Sequence, residues 1–153
     1  PDILVHMLTD LPRDLSPEAM IEGKHRNARI WCEATPNLMG AAKAAGTRRA
    51  IAQSLAWLYA PGPEPHEEGD PLGVTEPDLK IALDAITVLE DRVLNTQPIE
   101  GTVLRFGLLY GPGTSSETPN GSCTLHVDDN GPVANRKARD TLGWYPEFRS
   151  VQC

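Results

Sequence analysis

The stretch that most constrains this chain is residues 48–61, RRAIAQSLAWLYAP. Gly46 punctuates the chain just ahead of it, and Ala50-Ile51-Ala52 is a short apolar run suited to an interior strand of a parallel sheet. In open α/β sheets, ligands gather beyond the carboxyl ends of such strands. Ser54 and Tyr59 fall there by sequence, which makes them the candidate reactive side chains.

The segments on either side supply the partners such a strand needs. Residues 2–8, DILVHML, are apolar and β-branched, so they read as another strand. His6 inside that run fits a packed or hydrogen-bonded core histidine better than a catalyst. Ser16-Pro17-Glu18 is a helix start, with a capping hydroxyl, a proline for the first turn and an acid for the dipole. Helical spacing persists to about Ala45, with Ala28, Trp31, Cys32, Thr35, Leu38, Met39 and Ala42 on one stripe. Pro36 predicts a kink or break within it.

Residues 78–94 form a second apolar-striped helix. Residues 102–109, TVLRFGLL, form a third strand running into the turn Tyr110-Gly111-Pro112-Gly113. Arg105 within that strand needs an acidic or carbonyl partner wherever it is buried. The β-α-β-α-β order predicts a three-layer α/β fold. Between strand and helix lies a long loop, APGPEPHEEGDPLGVTEPD, read as a flexible acidic lid. A metal site at His66, Glu67, Glu68 and Asp70 is disfavoured, because the spacing suits neither a helix face nor a usual ligand set. Beyond Thr114 periodicity fades, until Asn135 caps a short helix that Gly143 ends.

Composition narrows the function classes. The chain's 153 residues carry a net charge of −7, which disfavours nucleic-acid and anionic-membrane partners. No apolar run approaches the ~20 residues of a membrane span, and the start lacks the basic leader of a signal peptide. Cys32, Cys123 and Cys153 form no CxxC pair, so free thiols in a reducing cytoplasm are expected.

Several stretches, in order, resemble the NAD-dependent epimerase/dehydratase family of extended short-chain dehydrogenases/reductases. PDILVH resembles that family's PDxVxHLAA strand. Ala34-Thr35-Pro36-Asn37-Leu38 with AAKAAG and RRAIAQS resembles GTxNLLxAAxxAGVxRFVxxSS. Arg105 with Tyr110-Gly111-Pro112-Gly113 resembles RxxNVYGPG, Leu125–Asp129 resembles the HVDD segment, and Ala138-Arg139, Leu142-Gly143-Trp144 and Pro146 resemble ARxxLGWxP. The family's GxxGxxG phosphate-binding turn has no counterpart here. Together with two short joins and the absence of an initiator Met, this leads us to expect that segments of a longer protein are missing.

The resemblance implies a partial Rossmann-like parallel sheet with helices on both faces (residues 1–114) and remnants of a small C-terminal substrate domain (residues 115–153). It implies an NAD(P)-dependent oxidoreductase or epimerase acting on a small hydroxyl or keto compound such as a nucleotide sugar, in a homodimer. Met7, Leu8, Thr9, Ser54, Phe106, Gly107 and Leu108 would border the NAD or NADP nicotinamide and its ribose, with Ser54 and Tyr59 near the substrate. The family's Tyr-x-x-x-Lys pair, in which Lys favours the ionised phenol for proton transfer, falls at Ala82 and Ile86 when Glu90 is the anchor. Neither residue can do acid–base work. A non-catalytic dinucleotide-binding sensor or scaffold is therefore the alternative.

Overall fold

The computed structural model describes residues 1–12, 16–107 and 136–143. Strands β1 (Ile3–His6), β2 (Arg49–Leu55) and β3 (Glu100–Phe106) form one sheet in the order β1-β2-β3. Both pairings are parallel, with Leu4 beside Ala50 and Ser54 beside Arg105. Helices α1 (Pro17–Arg29), α2 (Thr35–Ala44) and α3 (Pro77–Asn95) supply the crossovers, and α4 (Arg136–Leu142) lies further along the chain. This is a partial Rossmann-like α/β unit.

Period-two alternation decides what the sheet buries. Ala50 and Ala52 of β2 join one core cluster with Met39 and Ala42 of α2 and with Ala82, Ile86, Leu89 and Val93 of α3. Leu4 and Val103 pack against its edge, from the same face of β1 and β3. Small alanines on the strand let the helices lie close. The alternate positions Ile3 and Val5 are 51% and 59% exposed. Among the described residues, α2 and α3 pack on the face that carries Ala50 and Ala52.

The first crossover is a single helical column with a wide turn in it. Ser16 caps α1, its hydroxyl accepting from the Ala19 backbone N–H at 3.4 Å. The predicted interruption at Pro36 takes the form of a π-helical segment, Ile30–Ala34, just upstream of the proline. There the Thr35 N–H reaches back to the Ile30 carbonyl, one residue further than in an α-helix. Proline has no N–H to offer and its ring crowds the carbonyl four residues back, so a widened turn relieves the conflict without breaking the column. Gly46, at a φ of +71°, then ends α2 and turns the chain into β2.

The second crossover brings α3 unusually close to β3. A Cβ added at Gly101 would stand 2.0 Å from the Val93 carbonyl oxygen, so only glycine fits where strand and helix backbones meet.

Candidate active site

The carboxyl ends of the three strands define one edge of the sheet. After β1 come Met7, Leu8 and Thr9; after β2 come a 3₁₀ turn at Ala56–Leu58 and then Tyr59; after β3 comes Gly107. Leu108, the turn at 110–113 and the HVDD stretch lie outside the described residues, as do Trp144 and Pro146.

Asn27 of α1 fixes the segment after β1. This buried side chain accepts from the Thr9 hydroxyl at 2.7 Å and from the Asp10 N–H at 2.8 Å. Its amide donates to the Gly23 carbonyl at 2.9 Å and the Asp10 carbonyl at 3.3 Å. Arg26 adds an ion pair to Asp10 at 2.9 Å. Met7 and Leu8 are left 44% and 53% exposed at the edge, where apolar side chains would otherwise be buried. Below them His6 is enclosed. Its Nδ1 accepts from the Leu8 N–H at 3.4 Å, so Nε2 carries the proton and donates to the buried Thr35 hydroxyl at 2.9 Å. Burial pushes the His6 imidazole below its ordinary pKa, which keeps it neutral.

The centre of the edge is organised by Glu90, which projects from α3 and is 8% exposed. Its carboxylate accepts from the fully buried Ser54 hydroxyl at 2.6 Å. It also takes two hydrogen bonds from Arg105, from Nε at 2.9 Å and from Nη2 at 2.8 Å. Such a fork is the strong geometry for this pair. It holds the guanidinium well above its ordinary pKa, against the opposing effect of burial, with Tyr59 contributing in the same direction. The Ser54 hydroxyl, expected near the substrate, is committed to Glu90 and lies away from solvent.

Tyr59 sits on the outer side of that pair. The Arg105 guanidinium lies 5.0 Å from the centre of its ring, a cation–π contact. The His66 ring stacks on it, also at 5.0 Å and within 13° of parallel. His66 is 5% exposed and meets Asp70 at 3.2 Å. The Glu67 backbone N–H, and secondarily His66, hold the Asp70 carboxyl below its ordinary pKa.

The long acidic loop is thus closed rather than a free lid. The Ala60 N–H donates to the Pro71 carbonyl and the Gly73 N–H to the Leu58 carbonyl, both at 2.9 Å, with His66 filling the interior. Arg105 also reaches the Glu68 carbonyl, and Arg136 of α4 pairs with Glu67. Among the described residues, no three His, Cys, Asp or Glu side chains converge as metal ligands.

The positions of the resembled family's Tyr/Lys pair are sealed in the core. Ala82 is 9% and Ile86 0% exposed, both within the cluster under β2. A slot of about 200 Å³ opens beside the first turn of α3, between Trp57, Tyr59, Val74, Glu76 and Leu79. A larger hollow of about 550 Å³ lies at the opposite, amino end of the strands, against Lys43, Arg49 and Glu100. Nothing in the local sequence pattern marks Asn27 or Glu90 for these roles. Arg105's need for an acidic partner was the one signal pointing toward the network.

No family model matches the chain. It is 42% identical over 126 residues to a Streptomyces protein named 3-diazoavenalumate denitrifying reductase, an alignment covering 80% of this chain and 40% of that one. A solved short-chain dehydrogenase/reductase superfamily protein from Agrobacterium tumefaciens, with bound NAD, aligns with a TM-score of 0.50 and 23% identity. That superposition covers 68% of this chain and 30% of the other, and it supports the fold assignment. The chain therefore spans well under half the length of either protein, and its described part has the fold of a Rossmann-like α/β unit.

Proposed function

We propose that this chain forms the nicotinamide side of an NAD- or NADP-dependent reductase acting on a small, electron-poor substrate of the diazo kind named for its Streptomyces relative. The observation that carries this reading is the pair Ala82 and Ile86. Reactions at a hydroxyl or carbonyl must move a proton, and these side chains can neither take nor give one. Replacing a diazonium group by hydride moves none: one C–H bond forms, the C–N bond breaks with its electron pair leaving on nitrogen, and N₂ departs. A site without the acid–base pair fits that chemistry and not epimerisation of a sugar hydroxyl.

The residues at the edge fit the cofactor's flat ring. Met7 and Leu8 offer exposed apolar surface, Asn27 holds their loop in place, and a Cβ at Gly107 would meet nothing within 4 Å. Phe106 and Leu108 would complete that border. Bound there, NAD or NADP would supply the hydride. Tyr59 contacts the substrate, while Ser54 acts through Glu90 and Arg105 as a positioning residue. In the same reading, residues 1–114 belong to the cofactor domain and residues 115–153 to the substrate side. The test is oxidation of reduced nicotinamide with an arenediazonium salt, with N₂ release measured alongside. Turnover of a nucleotide sugar but not of the diazonium would overturn the proposal. Cofactor binding without turnover of either would favour the sensor or scaffold reading, which rests on the same missing pair.

A further inference from the structure

We infer that the slot between Trp57, Val74, Leu79 and Glu76 is a recognition site for a single aromatic ring carrying a cationic substituent. The inference deepens the proposed function by naming how that site would hold its substrate. It stands on the slot itself.

The slot has a built wall. Tyr59 is fixed between a guanidinium and an imidazole, the guanidinium is fixed by the two-point fork to Glu90, and Glu90 is fixed on α3. Tyr59 thus lines the slot with its ring held in place by Arg105 and His66, and the half-buried indole of Trp57 beside it is the second aromatic surface open to a ligand. Val74 and Leu79, each half-buried against the core, make the remaining apolar sides. The volume of about 200 Å³ suits one six-membered ring with a small substituent, since a cavity of about 150 Å³ holds benzene.

Charge selects the substituent. Residues 60–78 carry Glu64, Glu67, Glu68, Asp70, Glu76 and Asp78 and no Lys or Arg. Arg136 offsets Glu67, while Arg105 is neutralised by Glu90. Glu76 lines the slot and accepts from the Thr75 hydroxyl at 2.7 Å, the main cause that keeps its carboxyl below its ordinary pKa. Glu76 is the acid that lines the slot, so an anion held there would meet its carboxylate. A cation would be drawn to Glu76 and to the face of the indole.

The experiment uses the protein without nicotinamide, so its outcome does not depend on hydride transfer. Benzamidine, neutral benzamide and anionic benzoate are titrated while the Trp57 indole N–H is followed by NMR, its signal assigned with Trp57→Phe. Benzamidine is expected to shift that signal most strongly and benzoate least. Glu76→Gln is expected to lower benzamidine affinity about 2- to 5-fold, the range of an exposed ion pair, and to leave benzamide unchanged. Val74→Phe, checked for unchanged secondary structure by circular dichroism, should abolish the shifts by filling the slot. Equal response to all three compounds, or benzamidine binding indifferent to Glu76→Gln, would overturn the cationic assignment. No response at Trp57 to any of them would overturn the site. Benzamidine binding with no diazonium turnover would leave the slot intact while sinking the proposed reaction.

Discussion

Two arginine–carboxylate pairs bind β3 to its surroundings, one near each end, and they differ in almost everything but chemistry. At the amino end Arg49 meets Glu100 across β2 and β3 at 3.0 Å, with the two side chains 66% and 75% exposed. At the carboxyl end Arg105 meets Glu90 with side chains 19% and 10% exposed, in a two-point fork that also holds Ser54 and Tyr59. Water screens the first pair, and side-chain entropy offsets most of what it gains. The second pair cannot lose a partner without stranding a desolvated charge. The amino end is held instead by backbone, where Gly101 lets β3 touch α3. The residues proposed to border the cofactor collect at the carboxyl end, and that end is the one fixed by side-chain order.

The sharpest way to break this contrast is Glu90→Ala, expected to cost about 3–5 kcal/mol in chemical denaturation because Arg105 is left buried and unpaired. Replacing both partners together, Glu90→Leu with Arg105→Met, should cost less than Glu90→Ala alone. A double variant as unstable as the single one would show that the network does more than compensate its own burial. Gly101→Ala should come next, at about 1–3 kcal/mol, since its Cβ has only the Val93 backbone to push against. Gly40, with nothing within 4 Å of an added Cβ in mid-helix, is the control: Ala there should stabilise by about 0.5–1 kcal/mol.

His6 gives a pH-dependent test at the same end. Its folded-state pKa lies below the ordinary value of 6.5, so below that pH the unfolded chain takes up a proton the folded protein refuses. Stability is therefore whole above about pH 6.5 and falls as pH drops toward the depressed pKa, by at most about 1.4 kcal/mol per pH unit. His6→Asn should remove that slope from stability measured between neutral and mildly acidic pH; an unchanged slope would assign it to other groups. The smallest effect belongs to Arg49→Ala, about 0–1 kcal/mol, and it should shrink further in high salt. A larger loss would erase the distinction between the two ends.

Much of the scaffold was legible because it follows local rules. The strands, their order around two crossovers, the Ser16 cap and the Gly46 stop are each carried by a few adjacent residues. The site was less so. Ser54, Glu90 and Arg105 are far apart in sequence and meet only because β2 and β3 pair with Ser54 beside Arg105 and α3 crosses above them. Periodicity does not encode that register. The stacking of His66 on Tyr59 depends on the path of a loop with no repeating pattern, so its residues suggested a free lid and not a filled one. Pro36 signalled trouble in the helix, yet not how the chain would absorb it.

The way it is absorbed sets the angular phase of the whole first crossover. Five residues in the wide turn give the column one residue more than an α-helix would use, so all of α1 is rotated by about 100° relative to α2. Downstream of the turn, Thr35 points at His6; upstream, Asn27 points at Thr9 and Asp10. One rod thus addresses two successive stretches of the same strand exit from two separately timed faces. Deleting a single residue between 30 and 34 would leave the helix intact and longer in regular hydrogen bonds, while swinging Asn27 off the loop that it holds.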